Sequence, residues 1–294
     1  RALRARGLEP FVTLWHWTMP VWFTELGAFE KWENIKYFVR FCETVAEEFK
    51  DEVKFWIVLN EPNVYGGKSY LAGVWPPRKK NPFMFLKVMA NLAESHRGVY
   101  GALKNINAGF RIGAAYSVNH YEGVFAAPVR WFWNLRFLNA IKTHSDFMGL
   151  NYYYVKIVGG FGKKSEKNDM GWPITPRGIY HSLKLMGRYG KPVYVTENGL
   201  ADARDAYRAK FIIGHLKQIH KAISEGVDVR GYFHWSLTDN FEWADGFWPR
   251  FGLVEIDYKT LERKPRPSSR IYGKIAKANG ITPEIIKMAE ERKT

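Results

Sequence analysis

Two glutamates in this sequence stand in the same local setting. In Lys191-Pro192-Val193-Tyr194-Val195-Thr196-Glu197-Asn198-Gly199 a proline opens an apolar, β-favouring run that stops at Glu197, and Asn-Gly then turns the chain. In Phe55-Trp56-Ile57-Val58-Leu59-Asn60-Glu61-Pro62 a second apolar run stops at Glu61, and Pro62 blocks its continuation. A buried strand ending this way presents its carboxylate at the carboxyl edge of a sheet. Hydrolysis of a glycosidic bond needs such a pair: an acid for the leaving oxygen and a second carboxylate at the anomeric carbon. Either Glu alone also fits an ordinary polar strand end, and only the repeated context points to chemistry. Asn60, beside Glu61, can hydrogen-bond a sugar hydroxyl.

The elements that must position these groups alternate along the chain. Strand-like runs cover Phe11 to His16, Phe55 to Glu61, Arg111 to Tyr116, Asp146 to Tyr153, Lys191 to Glu197 and Val229 to Trp235. Helical periodicity fills the intervals. Trp32, Ile35, Val39, Cys42, Ala46 and Phe49 mark one helix, and Leu86, Met89, Ala93, His96, Tyr100 and Leu103 the face of another over 82–105. Further helices are expected over 131–142, 177–189 and 207–225. Strand and helix in strict alternation predict an α/β fold, a parallel sheet with crossover helices of the (β/α)8 TIM-barrel type, whose catalytic groups sit at the carboxyl edge. Six strands are two short of a closed barrel. Arg1 to Gly7 reads as a helix end with a Gly cap. The expectation is one barrel domain over 1–294, N-terminally incomplete, carrying strands 3 to 8. Strands three units apart lie nearly opposite in a barrel, so Glu61 and Glu197 can point into one pocket, about 5 to 5.5 Å apart in a retaining enzyme.

Composition bounds the alternatives. The net charge is +15, but Lys and Arg are spread along the chain, with only short runs at Arg78-Lys79-Lys80, Lys163-Lys164 and Arg263 to Arg266. That reads as a solvated basic surface, and no nucleic-acid partner is expected. The single cysteine, Cys42, excludes an intramolecular disulfide and fits a reducing, cytoplasmic compartment; it is expected to be a buried thiol. His96 reads as a core histidine. No apolar run approaches the roughly 20 residues of a membrane span. Neither Gly-x-Gly-x-x-Gly nor Gly-x-x-x-x-Gly-Lys occurs, so no nucleotide cofactor is expected, and no metal site. The 12 Trp residues suit sugar platforms, a Trp-rich core or an interface alike.

Asn60-Glu61-Pro62 and Thr196-Glu197-Asn198-Gly199 resemble the two catalytic motifs of glycoside hydrolase family 1, the β-glucosidase and β-galactosidase family. Four more segments agree in order and spacing: His16-Trp17, Asn151-Tyr152-Tyr153, Trp235 to Trp243, and Arg250-Phe251-Gly252. Trp-Pro-Pro at 75–77 and Val-Asp-Val-Arg-Gly-Tyr at 227–232 are similar in style to enzymes of heat-loving archaea. The resemblance implies that Glu61 is the general acid and base, Glu197 the nucleophile, and Tyr153 a donor to Glu197. It implies Asn60 on the 2-hydroxyl, His16, Glu242 and Trp243 on other hydroxyls, and Trp235 beneath the sugar, with Trp17 and Phe251 also at the substrate. The substrate would be a β-glycoside or oligosaccharide. The family also has a Gln and an Arg on two preceding units; with the first and last strands left open, the expectation is a complementing N-terminal segment, a second copy over the gap, or a soluble but poorly active species. A truncated, catalytically impaired sugar-binding fragment is the alternative.

Overall fold

The computed structural model describes residues 1–160 and 165–291, so the Lys163-Lys164 run lies outside the described residues. The chain divides into two compact units. The first holds Arg1–Val118, Pro128–Asn151 and Tyr189–Val193. Its parallel strands are β1 (Phe11–Thr13), β2 (Phe55–Asn60), β3 (Arg111–Ser117) and β4 (Phe147–Asn151), side by side in that order. Phe11 pairs with Phe55, Phe55 with Arg111, and Gly113 with Phe147. The expected first strand reached His16, but its ladder stops at Thr13. Leu14 N–H still bonds Ile57 at 2.8 Å, and the chain then bends at Trp17, whose φ is 75°.

The helices of this unit include α1 (Ile35–Glu48), α2 (Pro62–Gly66), α3 (Pro82–Ile106) and α4 (Arg136–Ile141). Asn81 caps α3 by accepting from Met84 N–H at 3.0 Å, and Pro82 occupies the first turn, where its missing N–H costs nothing. The buried face of α3 is broader than its expected stripe. Phe85, Val88, Leu92 and Val99 join Met89, Ala93, His96 and Leu103, while Leu86 and Tyr100 sit at its border. Cys42 is fully buried, as expected. Trp32 and Phe49 are exposed instead: Trp32 lies in a 3-10 turn before α1, and Phe49 is at its C-cap, where a side chain no longer follows the helical stripe. The helix expected over 131–142 opens as a π-helical turn, Trp131–Leu135, before α4. His96 is a core histidine. Its Nε2 lies 2.7 Å from the His144 carbonyl, and burial lowers its pKa to about 4. Gly7 takes φ 70° after a single 3-10 turn, Arg4–Arg6.

The second unit holds Asn119–Ala127, Tyr152–Arg188 and Tyr194–Thr294. Strand β5 (Val193–Asn198, all but its first residue in this unit) neighbours β6 (Val229–His234). Helices α5 (Arg177–Gly187) and α6 (Arg208–Ser224) match their periodicity within a few residues. The hairpin of β7 (Val254–Ile256) and β8 (Arg263–Pro265), with α7 (Pro267–Ala278) and α8 (Pro283–Glu290), was not expected. Leu253, Ile271, Ile275 and Ile285 from this part pack with Leu200, Phe211 and Ile212. Among the described residues no helix is long and apolar enough to cross a membrane.

Candidate active site

In the first unit the site is built around the end of β2. Asn60 and Glu61 are buried. Glu61 has φ 42° and ψ 55°, a left-handed conformation that costs a non-glycine residue about 1–3 kcal/mol. Its backbone bonds hold it there. The N–H donates to Ala115 at 2.8 Å, and the carbonyl accepts from Val64 at 3.0 Å and Tyr65 at 3.1 Å, which makes Glu61 the N-cap of α2 with Pro62 in its first turn. Side chains complete the arrangement. Asn151 Nδ2, at the end of β4, donates at 3.1 Å to Asn60 Oδ1 and at 3.1 Å to Glu61 Oε1.

That contact settles the protonation of His16. With Asn60 Oδ1 accepting from Asn151, the Asn60 amide nitrogen faces His16 Nε2 at 3.0 Å. An amide nitrogen only donates, so Nε2 accepts and the ring proton sits on Nδ1. Burial lowers the His16 pKa to about 4, so the ring is neutral at pH 7. Trp17 Nε1 donates to the Asn60 carbonyl at 2.9 Å, and its ring lies 4.8 Å from His16 and 4.5 Å from Trp75.

In the second unit the corresponding group is Glu197, near the end of β5 and 8% exposed. Tyr153 Oη donates to Glu197 Oε2 at 2.8 Å, and Tyr152 N–H donates to the Glu197 carbonyl at 2.9 Å. The next residue, Asn198, is fully buried. It donates to the Tyr152 carbonyl at 2.7 Å and accepts from Tyr232 Oη at 3.0 Å. A Cβ at Gly199 would stand 1.8 Å from the Trp235 carbonyl oxygen, so only glycine lets β5 and β6 end this close together. Trp235 N–H returns a bond to the Asn198 carbonyl at 3.0 Å. The Trp235–Ser236 peptide is cis.

The loop after β6 carries Glu242 and Trp243. Asn240 Nδ2 donates to Glu242 Oε2 at 3.1 Å, and burial raises the Glu242 pKa. Trp243 opens a 3-10 turn and has φ 51°. The loop is tied down by Asp239. Its carboxylate takes Arg266 on both oxygens at 3.0 Å, Arg250 at 3.2 Å and Gly252 N–H at 2.9 Å. Phe251 is buried, 6.4 Å from the Tyr153 ring and 6.2 Å from Trp172.

The first unit brings His16, Trp17, Asn60 and Glu61 together, and the second brings Tyr153 to Glu197 and Phe251, and Trp235 to Asn198, while Glu242 and Trp243 lie on the loop after β6. Sequence reasoning missed three contributors. Asn151 stood inside a motif from which only Tyr153 received a role. Trp172, whose ring is 5.7 Å from Tyr153, sat in a Pro-flanked loop without periodicity. Asp239 gave no sign of its arginines, one 11 and one 27 residues away.

Comparison with known proteins decides the family. The model of glycosyl hydrolase family 1 matches residues 1–126 and 160–281. The chain belongs to glycosyl hydrolase family 1. A β-galactosidase of Saccharolobus solfataricus is 32% identical, the match covering 96% of this chain and 69% of that protein. β-Glucosidase A of Thermotoga maritima is 32% identical, covering 95% and 76%. The structure of a β-glycosidase from Pyrococcus horikoshii matches with TM-score 0.91 and 39% identity over 97% of this chain and 75% of that one. This family 1 chain is thus a glycoside hydrolase with a (β/α)8-barrel type of fold, of which the described residues carry a parallel sheet of six strands.

Proposed function

We propose that this chain is a retaining β-glycosidase in which Glu61 is the general acid and base and Glu197 the nucleophile. The observation that supports it most is that each glutamate is buried at a strand end and has its own donor. Asn151 serves Glu61 Oε1, and Tyr153 serves Glu197 Oε2. In the first step Glu61 gives its proton to the glycosidic oxygen while Glu197 attacks the anomeric carbon. The old carbon–oxygen bond breaks, its electron pair leaves with the aglycone, and a glycosyl ester forms on Glu197. In the second step Glu61, now a carboxylate, takes a proton from water as the water oxygen attacks the same carbon and frees Glu197. Two inversions leave the β-anomer.

The remaining roles follow the same reading. Asn60 holds the 2-hydroxyl, while His16, Glu242 and Trp243 bind other hydroxyls. Trp235 lies under the ring, and Trp17 and Phe251 line the site. The relatives' names point to β-glucosides and β-galactosides as substrates. The Glu242 carboxylate would repel a 6-phosphate, so an unphosphorylated sugar is favoured. Barrel edges add a structural partner to the proposal. Thr13 of β1 is exposed with its neighbours only half-buried, and β6 exposes Arg230 and Phe233, whereas β2 is almost wholly buried. A second copy or a further stretch of polypeptide covers these strands.

The test is hydrolysis of p-nitrophenyl β-glucoside, followed by proton NMR of the first sugar released. The β-anomer is expected, and release of the α-anomer would overturn the retaining assignment. Glu197→Gly is expected to abolish turnover, with azide restoring part of it by attacking the anomeric carbon from the vacated space. Saturable binding of the glycoside without any turnover would establish the sugar-binding alternative instead.

A further inference from the structure

In the first unit, beside α2, lies a cavity of about 180 Å3. Asn63 of α2, Phe85 and Met89 of α3, Trp133 of the π-helical turn, and Arg136 and Phe137 of α4 line it. Cavities near this size take up a benzene-sized ring. The wall is apolar and aromatic apart from a few polar groups. Asn63 is 1% exposed. Its Nδ2 donates to the Ser117 carbonyl at 3.0 Å, but its buried Oδ1 accepts from no described residue. Trp133 Nε1 is buried and donates to no described residue. A buried polar group left unpaired costs on the order of 1–3 kcal/mol, so two at one cavity point to a ligand that pairs them.

The cation at this cavity is also uncommitted. Arg97 is held by Glu94 and by the Ala140 carbonyl at 3.1 Å. Arg136 lays its guanidinium over the Phe132 ring at 5.9 Å, and no acidic residue pairs with it among the described residues. Trp133, Arg136 and Phe137 fall within 127–159, which the family model leaves unmatched. Trp133 is admitted by Gly67, where a Cβ would stand 2.6 Å from the indole Cη2. Two π-helical turns, Gly67–Leu71 and Trp131–Leu135, meet at that contact. Such turns are frequent at functional sites.

We propose that this cavity binds a small hydroxylated aromatic acid of the hydroxybenzoate class. The ring packs against Phe85, Met89 and Phe137. The hydroxyl, which both donates and accepts, pairs Asn63 Oδ1 and Trp133 Nε1, and the carboxylate meets Arg136, whose planar fork suits it.

Calorimetric titration of the purified chain with 4-hydroxybenzoate, and separately with phenol, tests this. Saturable one-site binding of both is expected. Arg136→Gln, at a partly exposed position, should weaken 4-hydroxybenzoate about tenfold and leave phenol unchanged. Ala93→Phe, which fills the cavity from α3, should abolish both, and Glu197→Gln should change neither. If Ala93→Phe does not fold, Arg136→Gln decides. No saturable binding up to about 10 mM, which bounds the affinity near 3 kcal/mol, would overturn the proposal. So would loss of binding in Glu197→Gln, which would put the ligand in the glycoside site, or an Arg136→Gln chain that binds 4-hydroxybenzoate undiminished.

Discussion

A single amide does much of the positioning at the residue scale. Asn151 Nδ2 bridges Asn60 and Glu61, and through Asn60 it sets the tautomer of His16. Asn151→Ala should therefore lower kcat/KM by about a hundredfold, equivalent to ~2.7 kcal/mol, while stability falls by only about 1 kcal/mol. Kinetics on p-nitrophenyl β-glucoside beside a urea titration separates the two effects. Equal losses in both would make Asn151 a purely structural residue. Tyr153→Phe removes the 2.8 Å hydrogen bond to Glu197. A fall of about tenfold to a hundredfold in turnover is expected, with the melting temperature nearly unchanged because the ring's own packing is kept. A variant as active as the parent would remove Tyr153 from the site.

Loops are anchored by buried charge and close packing at the scale of elements. Asp239 is fully buried with Arg266, and Asp239→Asn removes the closer and buried of that guanidinium's two carboxylates. The more exposed Glu255, 3.8 Å from Arg266, is then its remaining acidic neighbour, and a loss of about 3 kcal/mol in urea unfolding is expected, far more than for an exposed pair. An unchanged midpoint would mean that the Asp239 network does not hold the loop after β6. Gly199→Ala should destabilise at least as much, because the new methyl overlaps the Trp235 carbonyl and the ends of β5 and β6 must separate. Helices α3 and α6 bring an acid sensitivity of their own. Burial lowers His96 and His215 from 6.5 to about 4. Between those values the unfolded chain binds protons that the folded chain refuses. Stability is therefore full above pH 6.5, falls as pH drops, and has lost about 3 kcal/mol per histidine at pH 4. Urea midpoints at pH 7 and pH 5 check this, the lower one expected at pH 5.

For the molecule as a whole, the half-exposed outer strands β1 and β6 predict association. Sedimentation of the purified chain should show a species heavier than 34.2 kDa, or a chain that becomes monodisperse only when another segment is supplied. A monodisperse monomer with cooperative unfolding would show that these strands tolerate solvent. By itself the sequence determined the six strands, their crossover helices and the strand-end positions of both glutamates, because these rest on local signals. Apolar periodicity places α5 and α6, and a proline or Asn-Gly after an apolar run marks where β2 and β5 stop. It placed Trp32 and Phe49 in the core, since periodicity cannot tell where a helix's first and last turns leave the stripe. It passed over α7 and α8, whose apolar faces have meaning only against Leu200 and Phe211. Only tertiary structure decided that Asn151 reaches Glu61 across 90 residues of chain and that Asp239 meets Arg266 across 27. A strand's end is written in neighbouring residues, but a hydrogen bond between distant ones depends on register and crossover packing, which no local window contains.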